Sequence, residues 1–317
     1  MQLNNPFHFT LILTTIIISF SSLVSCKKGN ALVIEHKKTK SSDTFPSRKV
    51  NQDLKNYWFD GTAEISTYEL NQVRYGEVHK GKATLIFVTE PFSKASNTKA
   101  DYTNDNNIPV LKLNSTKKFN TGIYPYSLMN STFFPFENTS TSLKISSSIQ
   151  EWCGMTYLEM KNENDLIFNF NSYFEGASFK NKKLNNSILE DDLWSLLRLN
   201  PELLPKGNFS IIPSMFYLIL THKEIKSFNV ITSLETNSTK TINIYTIHYP
   251  ELDRTLQIEF TSKPPYKISS WKETYLSGYG NQRKKLTTEA KLIKSLKIDY
   301  WNKNKTSDIH LRDSLGI

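Results

Sequence analysis

Apolar and polar residues alternate through most of the chain, and that period of two constrains the fold more than any other feature. It is plain in Tyr68 to Tyr75, Ala83 to Val88, Val110 to Leu113, Leu143 to Ile145, Met155 to Met160 and Leu166 to Phe170. It returns in Phe228 to Ile231, Ile242 to Ile247, Leu256 to Phe260 and Ile268 to Trp271. These runs are rich in β-branched and aromatic residues and are separated by Asn, Asp, Gly, Ser and Pro clusters, the pattern of half-buried strands joined as antiparallel hairpins. Only one segment, Asn186 to Leu199, places its apolar residues at helical steps, with acids early and Pro201 and Pro205 just beyond. Ala290 to Tyr300 fits either period, and we read it as a strand. Short connections without βαβ spacing exclude a parallel, Rossmann-type sheet. The expectation is a mainly β fold: a large antiparallel curved sheet or barrel-like domain of ten or more strands, over residues 50–317, with one short helix insertion. Closure would hide edges that otherwise aggregate.

The N-terminus reads as a targeting segment over residues 1–25. An apolar run from Phe9 to Phe20 has the length of a signal-peptide core and is too short to span a bilayer. Leu23-Val24-Ser25-Cys26 follows it and resembles the lipobox of bacterial lipoproteins, in which the cysteine thiol takes a diacylglyceryl group and becomes the new N-terminus. The segment before the run holds no Lys or Arg, a departure from the usual signal peptide. Cys26 is therefore the expected lipidation site, with acyl chains anchoring the protein in a membrane. Residues 26–49 then form a tether. Between 27 and 49, seven basic and two acidic residues leave a net +5, so +4 of the total +9 falls on the rest of the chain. Such a segment is drawn to anionic headgroups. A mildly basic body that is exported argues against a nucleic-acid partner, and none is expected. Lys27-Lys-Gly-Asn30 lacks both the aspartate of inner-membrane retention and the acidic run of surface export, which points to the periplasmic face of the outer membrane.

With Cys26 consumed by lipid, Cys153 has no partner in the chain, and a buried packing thiol is the expectation. Trp152-Cys153-Gly154 begins like a thioredoxin motif, but Thr156 stands where the second cysteine belongs. A nucleophilic thiol would need a base, for which His79, His222 and His248 are the candidates. Gly76-Glu-Val-His-Lys-Gly81-Lys82 has Walker A spacing, yet Ala83 replaces the magnesium-binding Ser or Thr and both flanks read as strands, so Gly81-Lys82 is expected to be a hairpin turn. No paired histidine spacing marks a metal site, no cofactor motif is present, and Glu151, Glu159, Glu251 and Asp253 form no pair that sequence can place across a sugar. An aromatic cluster stands out instead. Within it Phe119, Tyr124, Tyr126 and Trp152, with Cys153, are the candidate lining of a pocket for an apolar ligand.

Six stretches carry a family resemblance: Leu70-Asn-Gln-Val-Arg-Tyr-Gly-Glu77, Lys118 to Tyr126, Gln150-Glu-Trp-Cys-Gly154, Leu204-Pro-Lys-Gly207, Tyr249 to Leu256 and Tyr300-Trp301. From about residue 52 onward the chain resembles an uncharacterised family of Gram-negative envelope lipoproteins whose members are often labelled "septum formation inhibitor Maf". True Maf proteins are cytoplasmic nucleotide pyrophosphatases with a Ser-x-Ser-Pro-Arg-Arg-type loop. The only Ser-Arg here, Ser47-Arg48, lies in the tether, so we read the label as a misnomer. The resemblance implies no reaction. The expected role is a monomeric, non-enzymatic envelope lipoprotein that binds an apolar ligand, lipid, glycan or partner protein. The alternative is an envelope hydrolase or a Cys153-dependent enzyme.

Overall fold

The computed structural model describes Phe45, residues 47–137 and residues 141–317. Cys26, the leader and most of the expected tether lie outside the described residues. After α1 (Gln52–Trp58), the long hairpin β1 (Ala63–Arg74) and β2 (Glu77–Ser93) opens the sheet, and β3 (Thr98–Lys99) folds back on the end of β2. A meander follows: β4 (Ile108–Thr121), β5 (Tyr124–Pro135), β6 (Lys144–Glu151), β7 (Gly154–Glu163), β8 (Asp165–Ser172) and β9 (Phe179–Leu184). The chain then passes through β10 (Ile188–Leu189), α2 (Glu190–Leu199), β11 (Gly207–Ile212) and α3 (Met215–Leu220). A second meander closes the order with β12 (Phe228–Thr236), β13 (Ile242–Tyr249), β14 (Arg254–Thr261), β15 (Ile268–Ser277) and β16 (Lys284–Ile298), before α4 (Leu311–Leu315).

The 16 strands make one sheet, with ladder order β10-β11-β12-β13-β14-β15-β16-β1-β2-β4-β5-β6-β7-β8-β9. Every described pairing is antiparallel except β10 with β11. The two meanders are stitched together by β1 on β16, which runs from Ala63 opposite Ile298 to Asn71 opposite Glu289. Among the described residues no ladder joins β9 to β10. Side chains near both ends of the order nevertheless share one apolar cluster: Leu166 and Phe168 of β8 with Leu189 of β10, Ile212 of β11 and Met215 of α3.

Several sequence expectations are corrected. Among the described residues there are four short α-helices rather than one. The expected helix from Asn186 begins only at Glu190, because Ile188 and Leu189 pair in parallel with Ile211 and Ile212. Gly81-Lys82 is no turn: Gly81 sits inside β2 opposite Phe119, and the turn falls at Tyr75-Gly76, both at positive φ (54° and 79°). Gly81 is needed for close strand approach, since a Cβ there would stand 2.2 Å from the Lys118 carbonyl oxygen. Ala290 to Ile298 is indeed strand.

Hairpin geometry gives the sheet two ends. The turns at residues 75–76, 122–123, 152–153, 173–178 and 278–283 share one end. The connections after β2, β5, β7 and β14 share the other. The second end is stoppered by α1 and the chain leading into it, through buried Phe45, Val50, Leu54 and Trp58. Burying such side chains stabilises by roughly 1.5–3 kcal/mol each. Phe45 and Arg48 thus pack into the folded body although they fall within the expected tether.

The helix α2 fills the interior between the ends and is held by charge. Glu190 takes a bidentate bond from Arg254 (2.5 and 2.7 Å) and the Tyr249 hydroxyl (2.6 Å), while Arg254 Nε donates to Glu273 at 2.7 Å. Asp191 accepts from the Ser214 hydroxyl and the Met215 amide, fixing the start of α3. Asp192 accepts from the amide and hydroxyl of Ser142. At the far end Arg198 forks onto Glu64 and lies between the rings of Trp58 and Phe87.

Candidate functional site

At the unstoppered end the chain between α3 and β12 crosses the mouth of the sheet and leaves an opening on each side. The larger is a cavity of about 410 Å³ between this segment and the inner faces of β6 to β9. Its walls are mostly apolar: Ile149, Leu158, Phe170, Phe174, Phe179, Leu218, Leu220 and Ile225. The volume lies in the range of small-molecule pockets. Strand parity puts these side chains there. Leu166, Phe168 and Phe170 share one face of β8, and Thr156, Leu158 and Met160 share one face of β7. Gly154 matters as well, because a Cβ at that position would fall 2.4 Å from the Tyr173 ring. The other opening, about 290 Å³, is more polar and is bounded by Tyr75, Tyr217, His222, Tyr275, Ser277 and Arg283.

Arg74, at the last position of β1, lines both cavities together with Leu220, His222 and Lys223. Its Nη1 donates to the Leu220 carbonyl, and its Nη2 to the hydroxyls of Tyr75 (3.2 Å) and Tyr126 (3.4 Å). The guanidinium lies 4.2 Å from the centre of the Tyr75 ring. Those two tyrosine hydroxyls are 2.6 Å apart. The His222 imidazole is shifted downward by burial and then by the Arg74 charge.

The residues singled out from sequence form a different feature. Phe119 and Tyr126 stack at 5.0 Å with their planes 2° apart, Tyr124 lies 5.9 Å from Tyr126, and Trp152 stacks on Tyr124 at 6.4 Å. His79 extends this ladder over Phe119. Of the five, only Tyr126 reaches the large cavity. The residues that line it were missed, above all the segment Met215 to Leu220. Its six consecutive apolar residues are a visible signal, but such a run does not distinguish helix from strand.

Cys153 is corrected: its thiol is exposed, in the turn between β6 and β7. The register explains this, since Glu151 pairs with Gly154 and leaves Trp152 and Cys153 as the two loop residues. The Glu151 carboxylate raises the thiol above its ordinary value, the wrong direction for a nucleophile. The histidines are engaged elsewhere: His79 with the Arg74 carbonyl, His248 with Thr255, and His222 against Phe174. The carboxylates are also dispersed. Glu159 pairs with Lys144 at 2.9 Å, Asp253 pairs with Lys285, and Glu151 accepts from the Cys153 amide.

A second charged locus lies deep inside. Lys117 is buried on the inner face of β4 beside Glu190, Asp191, Arg254 and Glu273, and burial lowers its pKa. The space there is about 40 Å³, room for a water or two rather than an organic substrate. Among the described residues no group of His, Cys, Asp and Glu could hold a metal ion. Among them, too, no helix is long and apolar enough to cross a membrane.

Compared with family models, curated proteins and solved structures, the chain matches none.

Proposed function

We propose that the protein is an envelope lipoprotein, anchored through lipidated Cys26, whose barrel-like β domain binds an apolar ligand in the open-end cavity without transforming it. The observation that carries this reading is the apolar cavity of about 410 Å³ between β6–β9 and the segment after α3. A rim of exposed apolar side chains at the same end supports it. Ile123, Trp152, Met155, Tyr173, Phe174 and Tyr279 all stand in or beside the turns around the mouth. Aromatic residues of this kind favour an interface between water and lipid, so the ligand class that fits best is a lipid. The resemblance to envelope lipoproteins points the same way. The enzymatic alternative has less behind it, because the thiol, the histidines and the carboxylates named above do not converge.

Native mass spectrometry with lipid extraction on the full chain purified from cells tests the reading. A stoichiometric lipid is expected, and Ala177→Trp, which fills the cavity wall, should deplete it. A bare chain, or lipid retained undiminished by the Trp variant, would move the search to protein partners.

A further inference from the structure

Arg74 has no acid. Its described partners are one carbonyl and two tyrosine hydroxyls, all neutral, and its Nε is buried without a partner. A guanidinium has five N–H donors and seeks a planar, bidentate anion. Here Lys223 adds positive charge in both cavity walls, and His222 beside it is held toward its neutral form by burial and by Arg74 itself. The carboxylates at the rim are engaged by other groups: Glu224 by Lys182 at 3.0 Å, Glu151 by the Cys153 amide and Asp253 by Lys285. Among the described carboxylates that line the two cavities, Glu251, at the exposed margin of the second, is the one without such a bond. Two of the buried arginines elsewhere, Arg198 and Arg254, are matched by carboxylates.

The hairpin turn shapes this point. Tyr75 holds φ 54° as the first of the two turn residues between β1 and β2, which brings its ring over the guanidinium and its hydroxyl to Tyr126. The consequence is a fixed cation set between an apolar chamber and a polar one.

We propose that Arg74 receives the anionic head of an amphiphile whose hydrocarbon tail lies in the large cavity, with the head facing the second, polar opening. The proposal rests on the ligand-binding reading above and narrows it to lipids bearing a phosphate or carboxylate head. Charge-assisted, bidentate bonds to the guanidinium would supply selectivity, and the tail would supply area-dependent affinity shared with any neutral lipid.

The test compares hexadecyl phosphate with hexadecanol, by native mass spectrometry of the full chain held in a non-ionic detergent. In the unmodified protein the phosphate should bind at least about tenfold more tightly, the scale of a hydrogen bond to a charged group. Arg74→Met should erase that preference while leaving the alcohol bound as before, and Arg74→Lys should restore part of it. Equal binding of the two probes by the unmodified chain would overturn the proposal yet leave the cavity reading standing, whatever the variants do. A preference that survives Arg74→Met would overturn the role of Arg74. Failure of both probes to bind would sink the cavity reading itself.

Discussion

Arg198 of α2 meets Glu64 of β1 in a parallel fork, with Nη1 to Oε1 at 2.7 Å and Nη2 to Oε2 at 2.8 Å, both side chains fully buried. Burial by itself would raise the Glu64 carboxyl, but the Arg198 charge and bonds outweigh it and hold the group at about 2. Removing one partner strands the other charge in the interior. Glu64→Gln should therefore cost about 3–5 kcal/mol in urea unfolding. Replacing both, with Glu64→Leu and Arg198→Met, should cost less than the two single changes summed. Additive losses would mean the pair is not the unit that holds α2 down.

The acids at the other end of α2 behave in the opposite sense. Burial pushes Asp191 up to about 6 and Asp192 up to about 7, each against hydrogen bonds that favour the charged form. Unfolded carboxyls titrate near 4, so between about pH 4 and pH 7 the folded state binds more protons than the unfolded one. Stability should fall as pH rises through that window. Asp192→Asn should flatten the fall, as read from urea midpoints at pH 4.5, 6 and 7.5. A slope of the other sign would refute it. Glu64, with its depressed value, acts lower: its contribution is present above about pH 4.5 and fades as pH drops toward 2.

Gly81→Ala drives a methyl group into the Lys118 carbonyl at 2.2 Å, where the obstacle is backbone and must itself move. A loss of roughly 1–3 kcal/mol is expected, whereas Gly122→Ala, with open space around it, meets no such obstacle and is penalised only by its φ of 58°. Thermal unfolding of the two variants separates contact from backbone strain. Equal shifts would mean that the tight approach of β2 and β4 is not what requires Gly81.

The exposure of Cys153 makes it a reporter. With Cys26 lipidated as proposed, one thiol per chain should react with an aromatic disulfide reagent under native conditions, faster as pH rises toward its elevated pKa. Cys153→Ser should leave the urea midpoint unchanged, since the side chain is exposed in a turn. A thiol silent until denaturation would contradict the placement of the turn.

Much of the sheet was written in the alternation. Leu256, Ile258 and Phe260 of β14 face inward as their spacing requires, and so do Tyr245 and Ile247 of β13. The interior charges were legible by the same parity, though they are easily passed over. Arg254 is in phase with Leu256 and Ile258, Lys117 with Leu113 and Phe119, Glu273 with Trp271 and Tyr275, and Arg74 with Tyr68 and Leu70. A charge in phase with a strand's apolar set must either find a buried partner or face a cavity. What alternation cannot carry is which strands meet across distance. The β1–β16 ladder and the cavity formed where the α3 segment crosses the mouth depend on that, and the aromatic stretch from Phe119 to Trp152 only borders the cavity, through Tyr126.

Because Ala63 lies opposite Ile298, the beginning and the end of the sheet-forming chain are next-door strands. Read from β10 through β16 and on into β1 through β9, the ladder order follows the chain apart from the β3 flap, so from β11 onward the sheet is a meander cut open at its middle, with β10 added in parallel at its edge. A circular permutant that starts near Ser187 and links the old ends would turn this ladder into an ordinary hairpin. The natural chain must instead hold β1 unpaired on one side until its last strand arrives.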